Sequence, residues 1–331
     1  MPEVSVIIVN YNGHQFLGPL FESLSAQTLP ADEVLMVDNA STDDSVRFVR
    51  DRFPWVKIIE SPSNVGFAEG CNIGVANSHG QYVGLLNPDA VADPRWLAEL
   101  VAAMDADDNV AGADSKIYRA EDRRMIEEAG AGFNNLGYLW PLGFNQPDTG
   151  QFDEPAQVPA FTACAGLLRR RAFDGTPLFD GSLFMYNEEF ELTLRLRGRG
   201  YSIVYVPASV VYHRGSRSVA QVSRNPRLFK RFYHDRNRVK ILMKYYPIAV
   251  ILRSLPLIFL SLAYGDWQFL RFGGPLYLIR AKAAQIQYAF NGLIERLRGH
   301  NVNAEKWLPW MTNHGIRDMF ALRARDQKQY P

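Results

Sequence analysis

The first 107 residues alternate between short β-branched apolar runs and segments with helical spacing. The apolar runs are 4–10, 33–39, 55–61 and 81–87, and a helical pattern follows each of them. Such alternation with short connections predicts a mostly parallel sheet covered by helices on both faces. This constraint is strong, because it fixes the strand direction and hence the edge of the sheet where ligands bind.

Polar residues follow the apolar runs at the predicted carboxyl edge of the sheet. Asn10, Asp38 and Ser61 close the first three strands, and Asn87 with Asp89 closes the fourth within "LLNPDA". Asp38 could accept hydrogen bonds from a base or a ribose, and Tyr11 could stack on a base. The competing interpretation of Asp38 is turn chemistry, since "DNASTDD" is a good turn sequence. The chain has neither GxGxxG after the first strand nor GxxxxGK[ST], which argues against dinucleotide and P-loop binding.

Acidic and basic residues are divided unevenly along the chain. Residues 1–212 contain 15 Lys and Arg against 29 Asp and Glu, whereas residues 213–331 contain 21 against 6, although the net charge is only +1. A basic C-terminal part suits an anionic membrane surface or nucleic acid. No nucleic-acid-binding motif is recognisable there, and the charges alternate with apolar runs, so we predict a membrane surface and no nucleic acid. The alternative is an ordinary helical subdomain.

The apolar stretch 254–267 is the strongest in the basic part. Eleven residues separate Arg253 from Gly265, and a membrane span needs about 20 apolar residues. The sequence therefore predicts helices that lie in the membrane interface. The first residues show no signal-peptide pattern, and the two cysteines form no CxxC pair, so a reducing compartment is expected. No oligomeric state is predicted.

Two later stretches carry candidate catalytic chemistry. "NEEFEL" places Glu188, Glu189 and Glu191 at a predicted helix start, where acids are also favoured by the helix dipole alone. "VYHRGSRS" contains His213, a possible metal ligand, together with Arg214 and Arg217, which suit phosphate. The region 130–150 is rich in Gly, Pro, Asn and aromatic residues and predicts a long loop or an irregular hairpin.

Six stretches in order resemble the family 2 glycosyltransferases, especially the bacterial rhamnosyltransferase-like branch. They cover about residues 3 to 245 and are "VSVIIVNYN", "VDNASTD", "NVGFAEGCNIG", "LLNPDA", "FMYNEEFELTLRLRGRGY" and "VYHRGSRS". The resemblance implies a GT-A fold, a nucleotide-sugar donor, Mg²⁺ or Mn²⁺, and inversion at the anomeric carbon. It implies a catalytic domain at 1–225 and a helical membrane-associated region at 226–331.

The resemblance also implies roles for individual residues. Glu189 stands at the position of the general base, beside Glu188, where the commoner residue is Asp. The implied metal ligands are Asp89 and His213. The implied donor-binding residues are Asn10, Tyr11, Asp38, Asn64, Gly66, Phe67, Asn87 and Arg217.

The expected activity is transfer of a sugar, best guessed as rhamnose, from a dTDP- or UDP-sugar. The acceptor would be a lipid-diphosphate-linked or polysaccharide molecule of the cell envelope, and the protein would lie on the cytoplasmic membrane face. Two alternatives remain open at this stage. One is a non-catalytic sugar-nucleotide- or polysaccharide-binding subunit. The other is a sugar-1-phosphate nucleotidyltransferase, for which the loop "NYNGHQ" lacks the expected lysine.

Overall fold

A computed structural model of the 331-residue chain describes residues 3–215, 223, 225–299 and 302–313. The chain divides into two compact units. The first comprises residues 1–131 and 141–222, and the second comprises residues 132–140 and 223–331. Each unit is described separately below.

The first unit is built on a large mixed sheet. Its first strand is buried along its whole length, as expected for a central strand covered on both faces. The strands of the unit are β1 (Val4–Asn10), β2 (Glu33–Asp38), β3 (Lys57–Glu60), β4 (Tyr82–Leu86), β5 (Ala90–Ala92), β6 (Val110–Arg119), β7 (Met125–Ala129), β10 (Gln146–Pro147), β11 (Ala156–Gln157), β12 (Ala165–Arg169) and β13 (Ser202–His213).

The order of neighbouring strands is β10-β7-β6-β12-β4-β1-β2-β3. The strands β3, β2, β1 and β4 are parallel, whereas β12 runs antiparallel to both β4 and β6. The predicted mostly parallel α/β sheet is therefore confirmed. Strand β13 lies parallel to β6 and antiparallel to β5, which brings its carboxyl end beside the segment that follows β4.

Five α-helices lie in the described residues of this unit. In α1, the residues Phe16, Leu20 and Leu24 repeat at helical spacing and are buried, which is the amphipathic pattern of a helix packed on a sheet. The helices are α1 (His14–Ser25), α2 (Ser45–Arg52), α3 (Gly66–Ala76), α4 (Trp96–Asp105) and α5 (Glu188–Arg199).

One predicted helix end is wrong. The sequence suggested a helix over 66–80 that Gly80 terminates, but α3 ends at Ala76 with Asn77 as its C-terminal cap. Gly80 has a different role. A Cβ atom there would lie 2.5 Å from the backbone nitrogen of Ser5, so only glycine allows the chain to pass so close to β1.

The region 130–150 forms an irregular hairpin, one of the two forms expected for it. It contributes β10, which pairs with β7, to the large sheet. Two further strands, β8 (Ala131–Asn134) and β9 (Leu139–Pro141), join β14 (Met311–Thr312) in a separate three-stranded sheet. The pairing of β8 with β14 joins residues distant in the chain, so local sequence alone could not predict this second sheet.

The second unit is dominated by two helices, α6 (Pro226–Tyr245) and α7 (Ile248–Leu297), followed by the short α8 (Ala304–Trp307). Gly274 has a non-helical backbone (φ 78°, ψ 175°) and divides α7 into two segments. In the described part of the chain, α7 alone has the length and apolar composition that crossing a membrane requires. The short apolar runs seen in the sequence lie on one long helix, because charged residues interrupt the apolar run without interrupting the helix.

Candidate active site

The carboxyl ends of β1 and β2 are joined by buried polar side chains. Asn10 Nδ2 donates hydrogen bonds to Asp38 Oδ1 (3.0 Å) and Ser41 Oγ (3.1 Å), and the other Asp38 oxygen accepts one from the Ser41 backbone N–H (2.9 Å). Asn10 and Asp38 face each other in the parallel register. Both predicted donor-binding residues therefore belong to one hydrogen-bonded cluster, and Tyr11 follows directly on the chain, half-buried.

A second cluster holds the loop before α3. Asn39 Nδ2 donates to the Gly66 carbonyl (2.9 Å), and Asn39 Oδ1 accepts from the Val65 N–H (3.0 Å). Asn64 Oδ1 accepts from the Gly66 N–H (3.0 Å). Asn39 was missed in the sequence prediction, although it lies inside the "DNAS" turn. It fixes the backbone of the loop that carries Asn64, Gly66 and Phe67.

Gly66 is required by its conformation and by its surroundings. Its φ is +86°, and a Cβ atom would lie 2.3 Å from the carbonyl oxygen of Phe184. The same carbonyl accepts a hydrogen bond from the Ala68 N–H (3.1 Å). The start of α3 is thus held against the segment that leads into α5. Phe67 is half-buried, and its ring lies 6.2 Å from that of Phe179.

Asp89 and His213 meet at the carboxyl edge of the sheet. The antiparallel pairing of β5 and β13 sets His213 opposite Ala90, and His213 Nε2 lies 3.1 Å from Asp89 Oδ1. Asn87 Nδ2 lies 3.5 Å from the same nitrogen. The other ring nitrogen, Nδ1, lies 2.8 Å from Glu127 Oε1. Two residues separated by 124 positions, which the sequence predicted as metal ligands, are therefore neighbours.

Glu127 is a component that the sequence analysis missed. It lies on β7 where the register with β6 shifts, between the pairs Ile117–Glu128 and Tyr118–Ile126. Such a bulge adds an unpaired residue and redirects its side chain. Only the pairing of β6 with β7 places this carboxylate on His213, so "MIEEA" gave no local signal of it.

Charges around the pair perturb both groups. Burial alone would raise the pKa of Asp89, but His213 and then Arg214 outweigh it and hold that pKa below its usual value. Burial works against the imidazolium of His213, yet its neighbours Cys164, Asp89 and Glu127 outweigh burial and raise the pKa of His213 well above the usual value. A proton and a divalent cation are alternative ways to balance these carboxylates.

The donor set fits a divalent cation. Asp89 Oδ2 is buried and has no hydrogen-bond partner among the described residues. The 3.1 Å between Asp89 Oδ1 and His213 Nε2 is close to the separation of about 3.0 Å between adjacent octahedral ligands with bonds of about 2.1 Å. In the described part of the chain, no group of three or more His, Cys, Asp or Glu is arranged to hold a metal. A cation on this pair would therefore take further ligands from a bound molecule or water.

The two predicted catalytic glutamates begin α5. Asn187 caps the helix in a left-handed conformation (φ 68°), and Phe184 and Tyr186 before it also have positive φ. Three such residues in four positions are unusual for non-glycine side chains and commonly mark functional sites. Glu188 is buried and its Oε2 has no hydrogen-bond partner among the described residues. Glu189 is partly exposed.

The pKa values of three acidic groups, Glu188, Glu128 and Asp114, are shifted by burial and by neighbouring charges. The sequence analysis did not predict these interactions. Burial and then the charge of Glu189 raise the pKa of Glu188 well above its usual value. Burial raises the pKa of Glu128 to about 8, with Glu127 and Glu189 adding to the rise and Thr162 and His213 opposing it. Burial and the charge of Glu128 raise the pKa of Asp114.

Thr162 connects the buried acids. Its hydroxyl donates a hydrogen bond to Glu128 Oε1, and its backbone N–H donates to Asp114 Oδ1 (3.1 Å). Glu128 interacts electrostatically with both His213 and Glu189, so this one buried acid is coupled to the acid–imidazole pair and also to the start of α5. The remaining predicted donor-binding residue, Arg217, lies outside the described residues.

Two solved structures with a similar fold contain a nucleotide or a nucleotide-sugar together with Mn²⁺. The crystal structure of GalNAc-T7 with UDP, GalNAc and Mn²⁺ matches with a TM-score of 0.58 and 20% identity, covering 75% of this chain and 49% of that chain. A mannosyltransferase from Pyrobaculum calidifontis, in complex with GDP-Man and Mn²⁺, matches with a TM-score of 0.50 and 18% identity, covering 89% and 87%. The sheet order and these similarities define a GT-A fold.

Sequence comparison gives the family. The pattern of "Glycosyl transferase family 2" matches residues 5–175, which is more than half of the chain. The chain therefore belongs to glycosyl transferase family 2, as the sequence resemblance indicated. A relative in Mycobacterium tuberculosis, N-acetylglucosaminyl-diphospho-decaprenol L-rhamnosyltransferase, is 28% identical over 242 residues, covering 65% of this chain and 77% of that protein.

Proposed function

We propose that this glycosyltransferase moves a deoxyhexose, with rhamnose as the first candidate, from a dTDP- or UDP-sugar with inversion at the anomeric carbon. The acceptor is a lipid-diphosphate-linked or polysaccharide molecule of the cell envelope, and the site of action is the cytoplasmic membrane face. The observation that carries the proposal is the pair Asp89–His213, whose neighbour Glu128 interacts with His213 and also with Glu189 at the start of α5. The similarity to an L-rhamnosyltransferase that acts on a lipid diphosphate supports the choice of substrates.

The donor lies at the carboxyl edge of β1, β2 and β4. Asn10, Tyr11 and Asp38 bind the nucleoside, and Asn64, Gly66 and Phe67 line the donor, with Asn87 near the diphosphate. Arg217, which lies outside the described residues, stays a sequence-based prediction of a donor-binding residue. The hydrogen bonds that Asn39 makes to the 64–66 loop keep this surface rigid before the donor arrives. Preorganisation of this kind lowers the entropic cost of binding.

Asp89 and His213 would hold Mg²⁺ or Mn²⁺, and a cation bound there would stabilise the negative charge that develops on the leaving diphosphate. Glu127 holds the imidazole by its Nδ1–H, so that Nε2 points towards Asp89. A carboxylate behind a ligating histidine fixes the tautomer and increases the basicity of the ligand. Glu127 thus acts on the cation through His213.

Glu189 accepts the proton of the acceptor hydroxyl as that oxygen attacks the anomeric carbon. Glu188 lies buried beside it, and burial together with the charge of Glu189 raises the pKa of Glu188, which favours its protonated form. A protonated Glu188 would not repel a negative charge on Glu189, the proposed base. The diphosphate is already a good leaving group and needs no acid.

The test compares Glu189→Gln with the exposed control Glu154→Gln. Nucleotide-sugars are first screened by thermal shift with and without Mn²⁺, because a donor that binds the folded protein raises its unfolding temperature. We expect Glu189→Gln to abolish transfer while its thermal shift with the donor stays close to that of the wild type. Full turnover by Glu189→Gln would contradict the assignment of the base. Absence of any cation-dependent hydrolysis or transfer by the wild type would instead favour a binding subunit.

A further inference from the structure

In the second unit, charged side chains are buried and large hydrophobic side chains are exposed, which is the reverse of the usual distribution in proteins surrounded by water. Helix α6 buries several charged side chains, although charged groups are rarely buried in proteins surrounded by water. The exposed large hydrophobic side chains of the described residues number fifteen, and fourteen of them lie on α7. The buried charged residues of α6 are Asp235, Arg236, Arg238, Lys240 and Lys244.

The inward side of α7 carries small and polar residues in addition to the apolar Ile258, Phe269 and Ala281. Ser254, Ser261, Gly265, Gln285 and Gly292 are buried there. A Cβ atom at Gly292 would lie 2.4 Å from the Lys240 carbonyl oxygen, so the backbones of α6 and α7 approach closely at this point. Small residues at helix contacts are typical of helices that lie in lipid.

Ion pairs and hydrogen bonds fill this polar interior. Lys240 and Lys244 both reach Glu295 at 2.7 Å, and Arg238 donates to Ser261 Oγ at 2.8 Å. Arg231 pairs with Asp235 at 2.5 Å. These contacts give the buried charges partners within the unit, although Asp235 Oδ1 and Arg238 Nε have no hydrogen-bond partner among the described residues. Most of the large apolar side chains of α7 are exposed.

The charges that α7 exposes are all positive. Arg253, Arg271 and Arg280 are exposed, whereas the two acids of the helix are paired: Asp266 with Lys282 at 2.7 Å, and Glu295 with the two lysines of α6. Cations beside apolar and aromatic side chains complement a surface of anionic lipid headgroups over hydrocarbon.

The length of the uncharged runs limits how α7 can enter a bilayer. Charged residues leave at most twelve consecutive uncharged residues, at 254–265 and at 283–294. Twelve helical residues extend about 18 Å, whereas the hydrocarbon core is about 30 Å thick. The non-helical backbone at Gly274 divides the helix between these two runs.

We infer that both segments of α7 lie in one leaflet of an anionic membrane, with their fourteen exposed hydrophobic side chains in the acyl region and the three arginines at the headgroups. This inference adds a mode of membrane binding to the proposed function. It depends on the proposed function only for which face of the membrane the protein binds. The lipid is the occupant of the apolar face, and the protein is embedded from one side without crossing the bilayer.

The test uses the full-length protein and vesicles of phosphatidylcholine and phosphatidylglycerol in equal parts. We expect the protein to float with the vesicles and to remain bound after washes with high salt and alkaline carbonate. The double variant Phe259→Asp, Phe272→Asp should bind about a hundredfold more weakly, or about tenfold for each aromatic side chain withdrawn from hydrocarbon. The control Trp55→Asp, at the exposed tryptophan of the first unit, should float like the wild type.

Depth is measured separately with brominated acyl chains. Quenching of tryptophan fluorescence should fall when Trp267, which is 51% exposed, is replaced by Phe. Equal flotation of the wild type and the double variant would refute insertion. Protease cleavage of α7-flanking segments from both sides of sealed vesicles would refute one-sided embedding. If the wild type forms a stable dimer in vesicle-free buffer and the double variant is monomeric, the apolar face of α7 binds a second copy of the chain instead of lipid.

Hydrolysis of the nucleotide-sugar in solution separates this inference from the proposed function. The double variant should retain the wild-type rate, because Phe259 and Phe272 belong to the second unit and not to the candidate active site. Loss of flotation with normal hydrolysis would show that the variant is folded. Absence of hydrolysis in the wild type would count against the proposed function and would leave the flotation result unchanged.

Discussion

Replacing Glu128 by Gln should make the protein more stable near neutral pH. Burial raises the pKa of Glu128 from its ordinary value of 4.5 to about 8, so the folded protein keeps this carboxyl protonated while the unfolded chain ionises it. When folding raises the pKa of an acid, protonation of that acid stabilises the folded state. This contribution is complete below pH 4.5 and is lost as the pH rises towards 8. Glutamine imitates the protonated carboxyl and does not ionise.

The magnitude follows from the two pKa values. Each pKa unit corresponds to about 1.36 kcal/mol. Ionisation of Glu128 in the unfolded chain therefore lowers the free energy of unfolding of the wild type by about 1 kcal/mol at pH 5 and by about 3 kcal/mol at pH 7. The variant should therefore gain about 2 kcal/mol over the wild type between these two pH values. For a unit of this size, that is roughly 4–8 °C in the unfolding temperature.

Thermal unfolding at pH 5, 6, 7 and 8 measures the difference between the two proteins. Titrating groups that do not interact with Glu128 contribute equally to both proteins, so their effects cancel in the comparison. The exposed Glu154→Gln serves as the control and should follow the wild type at each pH. A difference between Glu128→Gln and the wild type that does not change from pH 5 to pH 7 would refute the buried, protonated state of Glu128.

Two further predictions concern the candidate active site. Glu127→Gln should weaken Mn²⁺ binding by about 10–100-fold, because the carboxylate behind His213 is lost; Mn²⁺ titration followed by electron paramagnetic resonance measures this, and unchanged affinity would remove Glu127 from the site. Gly66→Ala should lower the unfolding temperature and weaken nucleotide binding, because its Cβ would lie 2.3 Å from the Phe184 carbonyl oxygen. Gly175→Ala is the matched control, since its φ is +77° with no atom within 4 Å of the added Cβ; equal loss in both variants would mean that backbone conformation alone matters.

The sequence alone was sufficient to predict the α/β sheet and the family. Buried parallel strands are continuous apolar runs, and the helices between them carry apolar residues at local spacing, so each element can be read from its own residues. Polar residues such as Asn10, Asp38 and Asp89 stand at strand ends, and the direction of parallel strands places them at one edge without further information. The helix beginning after Asn187 was visible from its acids and from Gly200 at its end.

Tertiary structure decided the contacts between distant segments. Whether Glu127 reaches His213 depends on the pairing of β6 with β7 and on the bulge in that pairing, and neither is encoded in the few residues around "MIEEA". The buried set of Glu128, Thr162 and Asp114 likewise brings together three strand or loop segments.

Helix α7 shows the same division at larger scale. The composition of its sequence revealed basic and apolar residues, and the spacing of its charges limited the length of each uncharged run. Which side each residue faces was decided by packing against α6, where ion pairs place the acids inward and leave the apolar side chains outward. Local sequence determines an element when its energy comes from near neighbours, whereas long-range hydrogen bonds and ion pairs appear only when the folded chain brings their partners together.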